Sequence, residues 1–243
     1  MLLLALLIRN VGSDMAYRQT ATIQAHADTE YLASYIVNNQ FTYEEARRGE
    51  AIATIQADYL SDGINKVGRS IYQFDYYVYT AGLVFSVASI PADAVIKDVK
   101  VTINFTAFPP TGTDYVDIFL IQYDWGGGAL APADWINLDT LNNPDTYPIL
   151  GSRNTKFFID PSVASPSFLS TKAMIDYVQS LVGGSDPIRI YMVGKNDLYD
   201  IVPDFYFRGV RGLQAISGDP IEEDAYLSFL DSSVSIEIIY EQP

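Results

Sequence analysis

The sequence predicts an all-β fold: a jelly-roll-like antiparallel β-sandwich with one short helix, preceded by an extended N-terminal arm. Three observations predict it. Tyrosine, phenylalanine and glycine are abundant, at 18, 12 and 16 of 243 residues, and alanine-rich helical sequence is scarce. From Ile71 onward, aromatic and β-branched runs recur at regular intervals between turn residues. One segment, residues 171–182, stands out for its helical periodicity.

The elements follow in order. YRQTATIQA and EYLASYIVN, within residues 17–38, are strand-like. Thr42-Tyr43-Glu44-Glu45 fits a capping box, so a short helix is expected through Arg48, stopped at Gly49. Ala21-Thr22-Ile23-Gln24-Ala25 recurs as Ala53-Thr54-Ile55-Gln56-Ala57, 32 residues later. Two copies are too few for a solenoid; they read as coincidence or as a duplicated strand whose outer copy is free to pair elsewhere. IYQFDYYVYT and GLVFSVASI are the next strands. Over 99–106 the pattern alternates cleanly, with Val99, Val101, Ile103 and Phe105 on one face, which marks a half-buried strand. Pro109-Pro110-Thr111-Gly112 turns the chain into YVDIFLIQ, residues 115–122. The stretch from Gly126-Gly127-Gly128 to Pro148 is a long irregular loop, and such loops are often functional. In the helix, Met174, Tyr177, Val178 and Leu181 share a face, Ser170 or Thr171 caps the start, and Gly183-Gly184 end it. PIRIYMVG and residues 233–241 are the last strands, the latter with Val234, Ile236, Ile238 and Tyr240 inward. The domain division is residues 1–50, arm and short helix, and 51–243, the sandwich.

Composition bounds function. Thirty acids against 15 bases give a net charge of −15, which argues against nucleic acid as a partner, since phosphate binding needs a basic face. No cysteine is present, which excludes disulfides, thiol catalysis and Cys-ligated metal. The single histidine, His26, leaves little room for a His-based metal site or a catalytic triad. The apolar run Met1–Ile8 is too short to span a bilayer, which takes about 20 residues. It lacks a basic residue before it, and Arg9 follows it, unlike a secretory signal. We therefore read Leu2, Leu3, Leu4, Leu6, Leu7 and Ile8 as an arm that docks on a neighbouring subunit or on its own body; Met15 is an alternative start.

Three constellations are chemically suggestive. Acidic groups at Glu44-Glu45, Glu222-Glu223-Asp224 and Asp197, Asp200 and Asp204 contain the carboxylates a glycosidase uses, but 30 acids produce such clusters by composition. Asp134, Asn137 and Asp139, and likewise Asn196, Asp197 and Asp200, have spacings suited to Ca²⁺, against a solvated loop as the plainer reading. Ca²⁺ is the one cofactor considered. Tyr123, Trp125 and Trp135 lie near the glycine-rich loop and offer flat faces that stack on sugar rings or anchor a protein interface. Asn104-Phe105-Thr106 matches a glycosylation acceptor but sits inside a strand.

The order of these features resembles the DNRLRE-type β-sandwich domains. The residues that carry the resemblance are Phe85, Ser89, Ile90, Pro91, Ala92, Ala94, Ile96, Val99 and Val101 in GLVFSVASIPADAVIKDVKV. Trp125, Trp135 and Asn142-Asn143 look like the family's tryptophan-containing loop. The helix Met174–Leu181 and the terminal SVSIEIIYE strand fall in the family's order, and the likeness spans roughly residues 51–241. The motif that names the family is replaced by RGLQAIS at 211–217. The resemblance implies a non-catalytic module of secreted or cell-surface proteins, some of them carbohydrate-binding, with similar domains in bacteriophage structural proteins. The expectation is a non-enzymatic virion subunit, capsid- or tail-associated. It would assemble with copies of itself or other virion proteins, and be located in a virion or outside the cell. The alternative is an adhesion module that recognises surface glycans. A polysaccharide-cleaving enzyme is the weakest reading.

Overall fold

The computed structural model describes residues 17–25, 30–35, 43–49, 55–57, 64–72, 75–107, 117–128, 130–153, 167–168, 170–199 and 223–242. Strands are β1 Tyr17–Gln24, β2 Glu30–Tyr35, β3 Ile55–Ala57, β4 Ile64–Tyr72, β5 Asp75–Phe85, β6 Val95–Ala107, β7 Ile118–Gln122, β8 Ile149–Arg153, β9 Ser167–Phe168, β10 Ile188–Gly194 and β11 Glu223–Gln242. Helices are α1 Tyr43–Arg48, α2 Leu138–Leu141, α3 Lys172–Leu181 and α4 Lys195–Leu198, with a 3₁₀ turn at Pro132–Asp134.

The expected jelly-roll sandwich with one short helix is corrected on both counts. The 11 strands among the described residues belong to one sheet, in the order β8-β7-β10-β5-β4-β11-β6-β9, with β1 on β11 and β2-β3 on β5. The sheet curls into an open half-barrel and carries separate helices. The strand pairings explain why. Tyr77, Val78 and Tyr79 of β5 pair with β4 on one edge and β2 on the other, while Ala81 and Gly82 pair with β10 and β2. So β4 and β10 share one edge of β5 and meet end to end at Gly68 and Gly194. The sheet forks there instead of dividing into two. The long strand β11 continues the ladder past register shifts at Ser228/Phe229, Phe229/Val234 and Ile239/Tyr240, and such bulges increase the bend. Strand alternation reports only that one face is buried. It does not say whether the facing strands belong to a second sheet or to the same sheet curled over.

The main core fills the curl. Leu83 and Phe85 of β5, Leu120 of β7 and Ile190 and Met192 of β10 join Val99, Val101 and Ile103 of β6 and Ile236 and Ile238 of β11. The inward residues expected of β6 and β11 are thus buried, except Phe105, which is half-buried. Helix α3 closes one side with Met174 and Val178 buried. Thr171 caps it, its Oγ1 accepting from the Met174 amide at 3.1 Å, and Gly183 follows it in the left-handed region at φ 81°. The Gln179 amide replaces a missing strand neighbour of β6. It donates to the Ala94 carbonyl at 3.1 Å and accepts from the Ile96 amide at 2.8 Å.

A second core lies on the other face of β5, β7 and β10. Val84, Ile121, Tyr191 and Val193 pack there with Trp125, Leu138 and Leu141 and with Tyr43 and Ala46 of α1. The described residues before 50 are therefore woven into the body: β1 pairs β11, β2 pairs β5, and α1 is part of this core. The two repeat copies differ in setting, since Ala21–Gln24 lie in β1 on β11 whereas Ile55–Ala57 form β3 on β2. The expected arm residues Leu2–Ile8, His26, the Thr42 cap and residues 211–217 lie outside the described residues.

Candidate functional site

The aromatic loop after β7 brings the three expected stacking residues into one region, but not as a platform. Trp125 is 7% exposed. Its ring lies on β5 because residue 82 is glycine: a Cβ there would sit 2.9 Å from Trp125 Cη2. Its indole N–H donates to the Gly128 carbonyl at 3.2 Å, and the Arg189 guanidinium stands 5.9 Å from its ring centre. Tyr123 is half-buried, packs edge-on against Tyr147 and Tyr191, and donates to the Asp134 carbonyl at 3.1 Å. Burial, then the nearby Asp134 charge, raise its hydroxyl above the usual tyrosine range. Trp135 is also half-buried, its indole N–H donating to the Arg47 carbonyl at 3.3 Å.

The residues considered for Ca²⁺ are engaged locally. Asp134 Oδ2 accepts from the Ala131 amide at 2.8 Å and Asn137 Oδ1 from the Asp139 amide at 2.9 Å, so these two shape turns. Asp139 binds Arg47 and Arg48 at 3.0 and 3.1 Å. Among the described residues, no three His, Cys, Asp or Glu side chains gather to hold a metal ion.

Sequence reasoning missed a buried polar junction where α1, α2 and α4 meet beside the fork of the sheet. Arg47 is 0% exposed and Asp197 1%. Arg47 Nε donates to the Asp197 carbonyl at 2.6 Å and Nη2 to the Leu198 carbonyl at 3.3 Å. Its Nη1 reaches Glu44 and Asp139, each at 3.0 Å. The Asp197 carboxylate accepts from the Tyr43 hydroxyl and faces Arg69 at 3.9 Å. Burial raises the Asp197 carboxyl above the usual range, against the pull of Arg69 and the Tyr43 hydrogen bond. Burial and the Asp197 charge also raise the Tyr43 hydroxyl. Asp139 behaves oppositely: burial opposes ionisation, but Arg48 and Arg47 hold its carboxyl below the usual range. In the sequence Glu44, Asp139 and Asp197 stand out only as acids; Gly194 permits their meeting with the sheet, since a Cβ there would strike the Asp197 carboxylate and come within 3.4 Å of the Gly68 Cα. The junction binds helices to the sheet; its charged groups point at each other.

The margin of the sheet offers a different kind of site. Among the described residues β1 pairs only β11, over eight consecutive positions without a register shift. Ala21 and Ile23 pack on the main core, while Tyr17, Arg18, Gln19, Thr20, Thr22 and Gln24 are exposed. The strand contains no proline and no acid. The other margin strands are short, with β3, β8 and β9 spanning 3, 5 and 2 residues. Edge strands are ordinarily protected by shortness, bulges, proline or charge, and β1 has one arginine alone.

In comparison with known proteins, the chain matches no family model and no curated protein.

Proposed function

We propose that this chain is a non-enzymatic structural subunit that assembles with copies of itself or with other proteins, and that the assembly is a bacteriophage particle. The observation that carries the assembly reading is β1: an eight-residue margin strand with an open outer edge among the described residues and little to discourage pairing. The apolar run Leu2–Ile8, a few residues upstream of β1 in sequence, would add a second contact. The particle type, and a virion or extracellular location, rest on the sequence resemblance of residues 51–241 alone. A glycan-binding platform is not favoured, because Trp125 turns inward.

The test is the solution mass of the full-length chain, by light scattering coupled to size exclusion across a concentration series. The reading expects masses above 27.0 kDa that rise with concentration. A 27.0 kDa monomer at every concentration overturns assembly with copies of itself, the part of the reading that β1 carries.

A further inference from the structure

We propose that two copies of this chain join through β1, antiparallel about a two-fold axis beside Thr20, so that one sheet continues across both. This rests on the assembly reading above and names its partner and register.

The backbone shows which groups are available. The Ala25 amide donates to the Val234 carbonyl at 3.0 Å, and the β1–β11 register is unbroken from there to Tyr17. In an antiparallel ladder, alternate residues turn their N–H and C=O to the same neighbour. The odd-numbered residues of β1 therefore bond β11, and the N–H and C=O groups of Arg18, Thr20, Thr22 and Gln24 point outward. All four carry an N–H.

Symmetry then restricts the register. A two-fold axis that relates antiparallel neighbours in one sheet stands normal to it, so one residue lies opposite its own copy. Centred on Thr20, Arg18 faces Thr22 and Tyr17 faces Ile23 of the other copy. Tyr17 is the most exposed large hydrophobic residue described, at 72%, while Ile23 is half-buried at the strand's inner face. Laying one on the other forms an aromatic–β-branched cross-strand pair, a favourable combination.

Charge selects a second copy as the occupant. A chain of net charge −15 repels itself over most approaches. Along β1 there is no acid, and Arg18 sits across from Glu241 of its own β11. The pairing would bring Arg18 beside Thr22 of the other copy, whose β11 neighbour is Glu237. The row across the junction then reads Lys100, Glu237, Thr22, Arg18, Glu241, alternating in sign where it is charged.

The test uses the full chain in light scattering, with Thr20→Pro, Thr22→Pro, Thr20→Cys and Gln24→Cys variants and a form starting at Met15. Proline at 20 or 22 removes an outward N–H and leaves the β11 ladder whole, so the melting temperature is expected to hold. The dissociation constant for association is expected to rise roughly ten- to hundred-fold. The chain has no native cysteine, so Thr20→Cys reports pairing on a clean background. Opposed Cα atoms of a hydrogen-bonded pair lie about 5.5 Å apart, within disulfide range. Thr20→Cys is expected to yield a disulfide-linked dimer on mild oxidation, and Gln24→Cys to yield none. If wild type associates while both proline variants associate equally well and Thr20→Cys does not link, this pairing is wrong and the assembly reading stands. If the Met15 form is monomeric while the proline variants still associate, residues 1–14 make the contact and the pairing is again overturned. If wild type is monomeric throughout, both proposals fail.

Discussion

Arg47 is the residue whose removal should cost the fold most, and the structure says how the cost divides. Its guanidinium is fully buried and ties α1 to two backbone carbonyls, those of Asp197 and Leu198, as well as to Glu44 and Asp139. Arg47→Ala strands both carbonyls, leaves a void, and removes a cation from beside Asp197. Breaking a buried charged network of this kind costs about 3–5 kcal/mol. For a chain of this size each kcal/mol moves the melting temperature by about 2–4 °C. The expected fall is therefore roughly 6–20 °C, with the urea midpoint falling in parallel. Two companions separate charge from geometry. Arg47→Lys keeps the charge but loses the planar fork, and it is expected to lose about half of the alanine effect. Asp139→Ala removes an ion-pair partner whose side chain is 43% exposed, and it should cost no more than about 1 kcal/mol. Urea denaturation of the four proteins gives the comparison. An Arg47→Ala cost under about 1 kcal/mol, or an Asp139→Ala cost equal to it, would refute the view that the backbone carbonyls are what Arg47 holds.

Two further outcomes follow from the same region. Gly82→Ala should destabilise by about 1–3 kcal/mol, because the new methyl drives into the Trp125 ring and the strand cannot retreat; urea denaturation followed by tryptophan fluorescence reads both the loss and the displaced indole. Asp197→Asn should change the pH dependence of stability. Burial raises the folded-state pKa above the unfolded value, so the contribution of Asp197 is fully present below the unfolded pKa and is lost as pH rises through the folded one. The stability of Asp197→Asn relative to wild type is thus expected to grow as pH is raised from about 3.5 to 7, and a difference that grows the other way contradicts the assignment.

What the sequence made legible was local. Strand β6 was readable because a half-buried strand repeats every two residues, and α3 because its apolar face repeats every 3.6. Strand β5 shows where this stops. IYQFDYYVYT and GLVFSVASI read as two strands parted at Ala81, yet the strand Asp75–Phe85 passes straight through that point. Gly82 is there for the ring of Trp125, not for a turn. The beginning of β11 was equally hidden, since Glu222-Glu223-Asp224 reads as an acidic cluster of the kind composition produces, not as a strand start. The expected sandwich came from recurring half-buried strands, which do not say whether the facing strands form a second sheet; β5 and β11, at which the neighbouring ladders divide, are what keep this one sheet whole.

The sites were less legible for a related reason. Arginine and aspartate are rarely buried unless paired, and, Glu44 apart, Arg47 meets Asp139 and Asp197 from about 90 and 150 positions away in the chain. No local pattern encodes that meeting. The margin strand is a subtler case. YRQTATIQ is plainly a strand, but the partial repeat in β3, Ile55–Ala57, shows that the same residue types serve a short margin strand on β2 and a long one on β11. The margin strands β3, β8 and β9 are acid-free as well, and what sets β1 apart is its length of eight residues against 3, 5 and 2. That acids should be missing at a contact was available from composition. A chain with twice as many acids as bases is a poor partner for nucleic acid and a poor partner for itself. It can approach a second copy only where the acids are missing, and β1 is an acid-free strand of eight residues. The charge imbalance and the open edge therefore lead to the same place, and substituting Thr20 with aspartate should separate copies as effectively as proline does, with the loss partly reversed at high salt.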